Sequence, residues 1–320
     1  MKIKKPLFWD NERLSFLSIL LLPFTIFIIL SNILKKLQNQ HNQSKHIKTI
    51  CVGNIYVGGT GKTPLAIELH RIFKKLRRKT VFIKKFYNES IDEQILLEKE
   101  GPCISAKNGR LNALKGAIIK RFNLAIFDDG LQDKSVNYNL RIVCFNKQNF
   151  IGNGFLIPAG PLRESIESLK EYDVVFLNGH GNNIKKKISR IKEINKKIKI
   201  FETTYRLIKE KKVNKKDKFV AFAGIGTPDN FKKTLNSHGF NVAKFLPYPD
   251  HYNYSDIEIK KIKQIAKSYK AKILTTEKDF LRIKNNNQLK NNKTNQINFL
   301  KMKLEIKNEK KFINYLNSKI

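Results

Sequence analysis

The sequence predicts an α/β fold in which a parallel sheet carries the functional site. Short apolar segments rich in β-branched residues alternate with amphipathic helical segments, which is typical of parallel sheets covered by helices. The alternation occurs twice, beginning near Thr49 and again near Phe219. A chain of 320 residues is long enough for two domains. We therefore expect an N-terminal hydrophobic helix and linker over residues 1–44, a first α/β domain over 45–205, and a smaller C-terminal α/β domain over 206–320.

The first region contains a segment with the composition of a membrane helix. Leu14 to Leu34 is uncharged and dominated by Leu, Ile and Phe, and it is long enough to cross a hydrocarbon core of about 30 Å. Pro23 should kink this helix. A signal peptide usually has a shorter apolar region and a small-residue cleavage site. The segment therefore predicts a membrane helix, with a buried core helix or a helix lying in one leaflet as the alternatives.

A glycine-rich turn joins the first strand to the first helix of the sheet domain. In the stretch Cys51–Pro64, backbone N–H groups can surround a phosphate, while the lysine reaches the outer phosphates and the hydroxyl holds Mg²⁺. Tyr56 occupies a position that is glycine in the strict motif, so a plain strand-to-helix turn is the alternative. We interpret the stretch as an ATP-binding phosphate loop. Its predicted ligands are Tyr56, Val57, Gly58, Gly59, Thr60, Gly61, Lys62 and Thr63.

Two adjacent aspartates follow a later apolar strand of the same domain. Leu124–Phe127 runs directly into Asp128 and Asp129, and then into Gly130. A buried parallel strand delivers such a carboxylate to the carboxyl edge of the sheet, where it can orient Mg²⁺. An ordinary Asp-Asp-Gly turn is the alternative. The phosphate loop upstream favours a metal site formed by the aspartate pair and Thr63.

Two loops carry further candidates. The segment Gly152–Glu164, shaped by glycines and prolines, contains Arg163, whose guanidinium can hold phosphate oxygens in pairs; a solvated arginine is the alternative. In the second unit, His251 follows two prolines and an aspartate at the end of a strand. A lone histidine is more often structural. On the residues alone, His251 is therefore either a structural or a functional histidine.

The charge and the cysteines limit the partners and the compartment. The net charge is +36, but the lysines are scattered and form no arginine-rich or aromatic-interleaved tract. We therefore expect mostly solvated faces, with a contribution to membrane binding, and no nucleic-acid partner. A nucleic-acid-stimulated ATPase is the alternative function. Three cysteines without a Cys-x-x-Cys pair indicate a reducing compartment, with neither a disulfide framework nor a zinc site.

Taken together, these motifs resemble those of the tetraacyldisaccharide 4'-kinases, the lipid A 4'-kinases of Gram-negative bacteria. The resemblance runs from the hydrophobic helix to about Asp279. The motifs are Val52–Asn54 with Val57–Pro64, Asp128–Gln132, Gly152–Gly154 with Leu156–Glu164, Ala221–Gly226, Pro249–His251 and Thr275–Asp279.

The resemblance implies a P-loop NTPase-like sheet domain and a smaller C-terminal domain that closes the active-site cleft. It also implies transfer of the γ-phosphate of ATP to the 4'-hydroxyl of a tetraacylated glucosamine disaccharide 1-phosphate, which gives lipid IVA. ATP and Mg²⁺ would be the cofactors, and the lipid A disaccharide precursor and inner membrane lipids the partners. The protein would lie on the cytoplasmic face of the bacterial inner membrane, attached by its N-terminal helix.

The same resemblance implies roles for single residues. Asp92 matches the catalytic aspartate of the family, and His251 matches the histidine that works with it. The full set comprises catalytic Asp92, His251 and Lys62; substrate or phosphate ligands Arg110, Arg163 and Tyr87; and metal ligands Thr63, Asp128 and Asp129.

Several positions depart from the family pattern. Ile91–Gln94 replaces Gly-Asp-Glu-Pro, Lys85–Asn88 replaces Arg-Gly-Tyr-Gly, and the segment from Tyr87 to Asp92 is shorter than usual. Asp133 stands where the family has histidine. These departures affect the placement of Asp92, and they keep a nucleotide-binding membrane adaptor without chemistry as a third function.

Overall fold

The computed structural model describes residues 5–11, 15–37, 46–87, 91–208, 213–286 and 296–320. The strands are β1 (Lys48–Gly53), β2 (Thr80–Lys84), β3 (Cys103–Ser105), β4 (Leu124–Asp128), β5 (Leu140–Asn146), β6 (Val174–Asn178), β7 (Lys199–Leu207), β8 (Lys218–Ala223), β9 (Asn241–Pro247), β10 (Lys272–Thr276), β11 (Ile297–Leu300) and β12 (Met302–Ile306). The helices are α1 (Phe16–Leu21), α2 (Thr25–Leu37), α3 (Lys62–Lys75), α4 (Ile91–Glu100), α5 (Arg110–Ile119), α6 (Ile184–Ile194), α7 (Pro228–Ser237), α8 (Asp256–Ser268), α9 (Glu277–Lys284) and α10 (Glu309–Asn317).

The N-terminal hydrophobic region forms two helices. A 3-10 turn that contains Pro23 separates α1 from α2, because proline has no N–H to donate and its ring clashes with the preceding turn. The predicted kink at Pro23 is thus a break between two helices, and Leu14 lies outside the described residues. From Phe16 to Leu34 the segment is long and apolar enough to cross a membrane, and only 11% of it is buried inside the protein.

The larger sheet has the strand order β12-β7-β6-β5-β1-β4-β2-β3. Its strands pair in parallel except for β12, which runs antiparallel to β7. Successive residues of a strand point to opposite faces. Ile50 and Val52 pack with α3 on one face, whereas Cys51 packs with α5 on the other. Both faces are therefore buried beneath helices, which explains why the strands read as continuous apolar runs.

The smaller sheet has the order β11-β10-β8-β9 and is entirely parallel. Helices α8 and α9 cover one face, and α7 covers the other. A mixed α/β architecture with a large, mainly parallel sheet and a second α/β unit is thus present as predicted.

The structure differs from the predicted boundary between the two domains. That boundary at residues 205 and 206 cuts through β7, which belongs to the larger sheet instead of forming a connector. The chain later returns, because β12 pairs with β7 and α10 packs Phe312 and Leu316 into the core of the first domain. The smaller domain is therefore inserted between two strands of the larger sheet. An apolar run alone does not show which sheet a strand joins. The sequence pattern therefore did not predict that the chain returns to the larger sheet.

Candidate active site

The phosphate loop connects β1 to α3 at the carboxyl edge of the larger sheet. Gly61 caps the helix in a left-handed conformation (φ +86°) that favours glycine, and a Cβ there would lie 2.8 Å from both the Asn178 amide nitrogen and the Tyr205 hydroxyl. The Asn178 side chain donates to the Thr60 carbonyl at 2.6 Å. Helix α3 thus begins at Lys62 directly after a loop that these contacts hold in place. Such a helix N-terminus is suited to binding an anion.

Tyr56 is placed differently from the other predicted ligands of the loop. Its side chain is buried, and its hydroxyl donates to the Asp10 carboxylate at 2.5 Å and accepts from the Asn149 amide at 3.3 Å. Its backbone pairs with Leu162. The hydroxyl of Tyr56 is therefore engaged by the N-terminal segment, and its predicted role as an ATP ligand stays a prediction for its backbone.

The aspartate pair lies beside the loop. Asp128 ends β4 in register with Val52 of β1, and its Oδ2 accepts from the Thr63 hydroxyl at 2.9 Å. Its Oδ1 is buried without a hydrogen-bond partner. The predicted neighbours Thr63 and Asp128 are thus brought together, with one carboxylate oxygen left for a further donor or a cation.

Asp129 has a left-handed backbone (φ +63°), which is costly for a residue with a Cβ and is often found at functional positions. Its carboxylate accepts from Arg163 at 3.1 and 3.3 Å and lies 3.9 Å from the Lys62 ammonium. Burial alone would raise the pKa of Asp129, but Lys62 and Arg163 lower it below its ordinary value. The carboxylate is therefore ionised and bridges two cations that can turn to a phosphate.

Asp92 and His251 come together from different domains. Asp92 lies in the first turn of α4, and His251, with φ +53°, follows β9. The Asp92 Oδ1 lies 3.3 Å from the imidazole Nδ1, while its Oδ2 accepts from Arg282 at 2.6 Å. Burial would raise the pKa of Asp92, but Lys278, His251 and Arg282 together hold it well below its usual range. Asp92 is thus an ionised, almost fully buried carboxylate that can orient the imidazole.

Further charged residues of the site, besides Arg282, were not predicted from the sequence. The Lys84 ammonium lies 2.8 Å from Asp128 and 2.7 Å from Glu93, and Lys278 lies 3.0 Å from Glu93. Burial alone would lower the pKa of Lys84, but the carboxylates of Asp128 and Glu93 raise it above its usual value, so the lysine stays charged. The register of β2 against β4 would have located Lys84, since Lys84 ends β2 directly beside Asp128. Lys278 lies in the motif Thr275–Asp279, to which no role was given.

The remaining predicted substrate ligands differ in accessibility. Arg110 is buried and donates to the Asp133 carboxylate at 2.6 Å and to the Asp129 carbonyl at 2.5 Å. Arg110 therefore supports Asp129, and Asp133 serves as its partner. Tyr87 is half exposed, with the Lys85 ammonium 5.3 Å from its ring centre.

The two domains touch at the phosphate loop itself. Gly226, in the turn after β8, approaches Gly59 so closely that a Cβ on residue 226 would lie 2.0 Å from the Gly59 nitrogen. This turn lies in the motif Ala221–Gly226, to which no role was given. The structure shows that this turn meets the phosphate loop.

Comparison with known proteins identifies relatives along the whole chain. Residues 14–320 match the family described as tetraacyldisaccharide-1-P 4'-kinase. The chain is 45% identical over 316 residues to the tetraacyldisaccharide 4'-kinase of Pelagibacter ubique (strain HTCC1062), covering 99% of this chain and 98% of that protein. It is 34% identical over 258 residues to the enzyme of the same name from Rickettsia bellii (strain OSU 85-389), covering 74% and 77%.

A solved structure shares the fold. The crystal structure of LpxK from Aquifex aeolicus in complex with ATP matches with a TM-score of 0.69 over 94% of this chain and 99% of that chain. The two sequences are 22% identical, so this likeness concerns the architecture alone.

Proposed function

The chain belongs to the tetraacyldisaccharide-1-P 4'-kinase family, and we propose that it transfers the γ-phosphoryl group of ATP to the 4'-hydroxyl of a tetraacylated disaccharide 1-phosphate. One observation carries the residue assignments: the phosphate loop and the Asp128–Asp129 pair are linked through Lys84 and Glu93 to the Asp92–His251 pair, where the two domains meet. Family membership favours this kinase over the nucleic-acid-stimulated ATPase and over the adaptor without chemistry.

We propose that ATP binds with its phosphates against the loop and the N-terminus of α3. The unpartnered Oδ1 of Asp128 and the nearby Thr63 hydroxyl are hard oxygen donors that fit Mg²⁺. Among the described residues, no three His, Cys, Asp or Glu side chains cluster to hold a metal. Magnesium in such enzymes is bound by one or two carboxylates together with phosphate oxygens and water. When bound, Mg²⁺ would neutralise charge on the phosphates.

On the acceptor side, we assign the proton of the 4'-hydroxyl to His251. The Asp92 Oδ2 accepts from Arg282 and its Oδ1 faces the His251 imidazole, whereas about a quarter (24%) of the His251 side chain is exposed. Asp92 therefore holds the imidazole through Nδ1 and stabilises the imidazolium that forms, as a buried carboxylate does for a catalytic histidine. This division of roles needs both domains, so the site is complete only when the cleft is closed.

Cations around the cleft would stabilise the transferring group. Phosphoryl transfer spreads negative charge over the equatorial oxygens, and its catalysis is mainly positioning and electrostatic stabilisation. Lys62 and Arg163 both face Asp129, while Lys278 lies 3.4 Å from the His251 Nε2. These side chains can shift from carboxylates to phosphate oxygens without leaving the site.

We further propose that α1 and α2 attach the protein to the cytoplasmic face of the inner membrane. Large apolar side chains on both helices face outward, among them Phe16 at 79% exposure and Phe27 at 68%. An exposed apolar surface of this length suits a bilayer. Because ATP is cytosolic, an ATP-dependent kinase is expected to keep the rest of its chain in the cytosol.

The assay that tests the function uses purified protein, Mg-ATP and the lipid disaccharide 1-phosphate, with product identified by mass. Formation of the 4'-phosphorylated lipid is expected. Free hydrolysis of ATP without that product would show that the kinase assignment is wrong. Asp92→Asn is the matched control, since it keeps the shape of the side chain while removing the charge that orients His251.

A further inference from the structure

The N-terminal segment is packed against the loop formed by residues 152–163, which we call the bracing loop. The Trp9 indole N–H donates to the Pro158 carbonyl at 3.0 Å, and the Asn153 N–H donates to the Trp9 carbonyl at 2.8 Å. Gly152 has φ +60°, and a Cβ there would lie 2.2 Å from the Trp9 carbonyl oxygen. Only glycine permits this approach, so the contact is built into the loop.

The two apolar helices contact the same loop through their few polar side chains. Ser18 of α1 is fully buried, and its hydroxyl lies 3.1 Å from the Asn153 amide. Asn32 of α2 donates to the Arg163 carbonyl at 3.0 Å. Polar groups on a helix that is otherwise suited to lipid carry a cost unless they are paired. Their pairing with the bracing loop therefore fixes the orientation of both helices relative to the catalytic domain.

The opposite side of the bracing loop holds the phosphate loop. The Val57 N–H donates to the Pro161 carbonyl at 2.8 Å, and the Arg163 N–H donates to the Ile55 carbonyl at 2.7 Å. The Arg163 guanidinium then reaches Asp129. The bracing loop is thus hydrogen-bonded to the N-terminal segment on one side and to the ATP site on the other.

A second connection is direct. Tyr56 belongs to the phosphate loop, and its buried hydroxyl donates to Asp10, which also accepts from Lys5 at 2.5 Å. Lys5 contacts the same hydroxyl. A hydrogen bond to a charged group is stronger than a neutral one, and the Tyr56 hydroxyl that makes this bond is buried. The cluster Lys5–Asp10–Tyr56 therefore ties the start of the chain to the nucleotide loop.

We propose that the N-terminal segment is a positioning element for the nucleotide: its packing on the bracing loop and on Tyr56 holds the phosphate loop in its binding geometry, so that anchoring of α1 and α2 in a lipid bilayer is coupled to ATP affinity. The identity of the nucleotide rests on the proposed function, but the coupling does not require phosphoryl transfer. Because coupling is reciprocal, lipid that tightens ATP binding must itself be bound more tightly by the same factor when ATP is present.

The chain contains its own reporter of this contact, because Trp9 is the one tryptophan in the sequence. The full chain is titrated with Mg-ATP, without the lipid acceptor, in detergent micelles and in vesicles of phosphatidylethanolamine with phosphatidylglycerol. Trp9 emission and the Kd for ATP are measured together. We expect ATP to change Trp9 emission and the vesicles to lower the Kd.

Tyr56→Phe removes only the hydroxyl and should raise the Kd for ATP about five- to tenfold, the range of one ordinary hydrogen bond, because the Asp10 carboxylate is partly exposed. The KM for the lipid acceptor should not change, and the response of Trp9 to ATP should be lost. Asp10→Asn should act in the same direction and shows whether the charge matters. Tyr172→Phe is the matched control, since it also removes a buried tyrosine-to-carboxylate bond (2.7 Å to Glu164).

The outcomes separate the two proposals. An unchanged Kd for ATP in a folded Tyr56→Phe protein, or Trp9 emission that ignores ATP in the wild type, would overturn the coupling. Equal rises in Kd for Tyr56→Phe and Tyr172→Phe would also overturn it, because general loosening would then explain both. If the coupling is present but no phosphorylated lipid forms, the proposed kinase function fails while the coupling stands.

Discussion

Replacing Gly226 with alanine tests whether the two domains must touch at the phosphate loop for catalysis. A Cβ at this position would lie 2.0 Å from the Gly59 nitrogen and 2.4 Å from its Cα. Both are backbone atoms, so no side chain can rotate away. Ordinary van der Waals contact begins at 3.4 Å. The turn after β8 and the phosphate loop must therefore separate by more than about 1 Å, a displacement that can cost about 100-fold in rate.

We expect Gly226→Ala to lower kcat about 100-fold, which corresponds to about 2.7 kcal/mol in the activation barrier. Residue 226 does not lie in the left-handed region, so alanine adds no backbone strain of its own. The free energy of unfolding should change by only about 1 kcal/mol, because the domains can relax apart at this contact. Steady-state kinetics with Mg-ATP and the lipid acceptor, together with thermal unfolding, measure both quantities.

Gly116→Ala provides the control. Gly116 lies within α5, and a Cβ there has no neighbour within 4 Å. Alanine should therefore leave kcat unchanged and stabilise the protein by about 0.5–1 kcal/mol. A Gly226→Ala protein with wild-type kcat would refute the reasoning, since the close approach of the domains would then have no part in the reactive state.

Three further perturbations test the charges and the membrane helices. Asp92→Asn should lower kcat by about 100-fold or more. Because the pKa of Asp92 is held below its ordinary value, its contribution to stability is present above pH about 4 and is lost in acid. The Asp92→Asn protein should therefore lose less stability on acidification than the wild type does. Lys84→Met should reduce the free energy of unfolding by about 3–5 kcal/mol, because it leaves two carboxylates without their shared cation. Phe27→Asp with Leu30→Asp should abolish vesicle co-sedimentation, since each charge costs about 2.5–3.5 kcal/mol at the centre of a membrane helix.

Each of these expectations has a result that would contradict it. Full activity in Asp92→Asn would remove Asp92 from the mechanism. Chemical denaturation showing Lys84→Met as stable as the wild type would mean that the carboxylates find other cations. Undiminished vesicle binding of the doubly substituted α2 would show that the helices do not attach the protein. Lys186→Asp, a charge change at an exposed residue of α6, serves as the surface control.

Local patterns in the sequence were enough to predict that the glycine-rich turn and Asp128 lie together. The glycine-rich turn and the carboxylate at the end of β4 each lie within a few residues, and the rules for parallel sheets place both at the same edge. Thr63 and Asp128 are accordingly neighbours. Lys84 follows from the same rule, but only after the register of β2 against β4 is known.

The pairing of Asp92 with His251 could not be predicted from local patterns. Asp92 and His251 meet across two domains, and the residues between them in sequence give no sign of that contact. Their pairing came from the resemblance to a family. Tyr56 shows the opposite limit, because its position in the motif suggested a nucleotide ligand while tertiary packing turned its hydroxyl to Asp10. Residue type and spacing do not determine which way such a side chain faces.

The return of the chain to the larger sheet affects how the protein must be made. The two crossings between the domains run side by side, with the Ile208 N–H donating to the Lys301 carbonyl at 2.9 Å. During synthesis, β7 emerges with one edge unpaired, and β12 cannot cover that edge until the whole inserted domain has been translated. Unpaired strand edges are where nascent chains aggregate. Slow folding of the inserted domain would therefore be harmful to the larger one, and the yield of soluble protein should depend on residues far from β7.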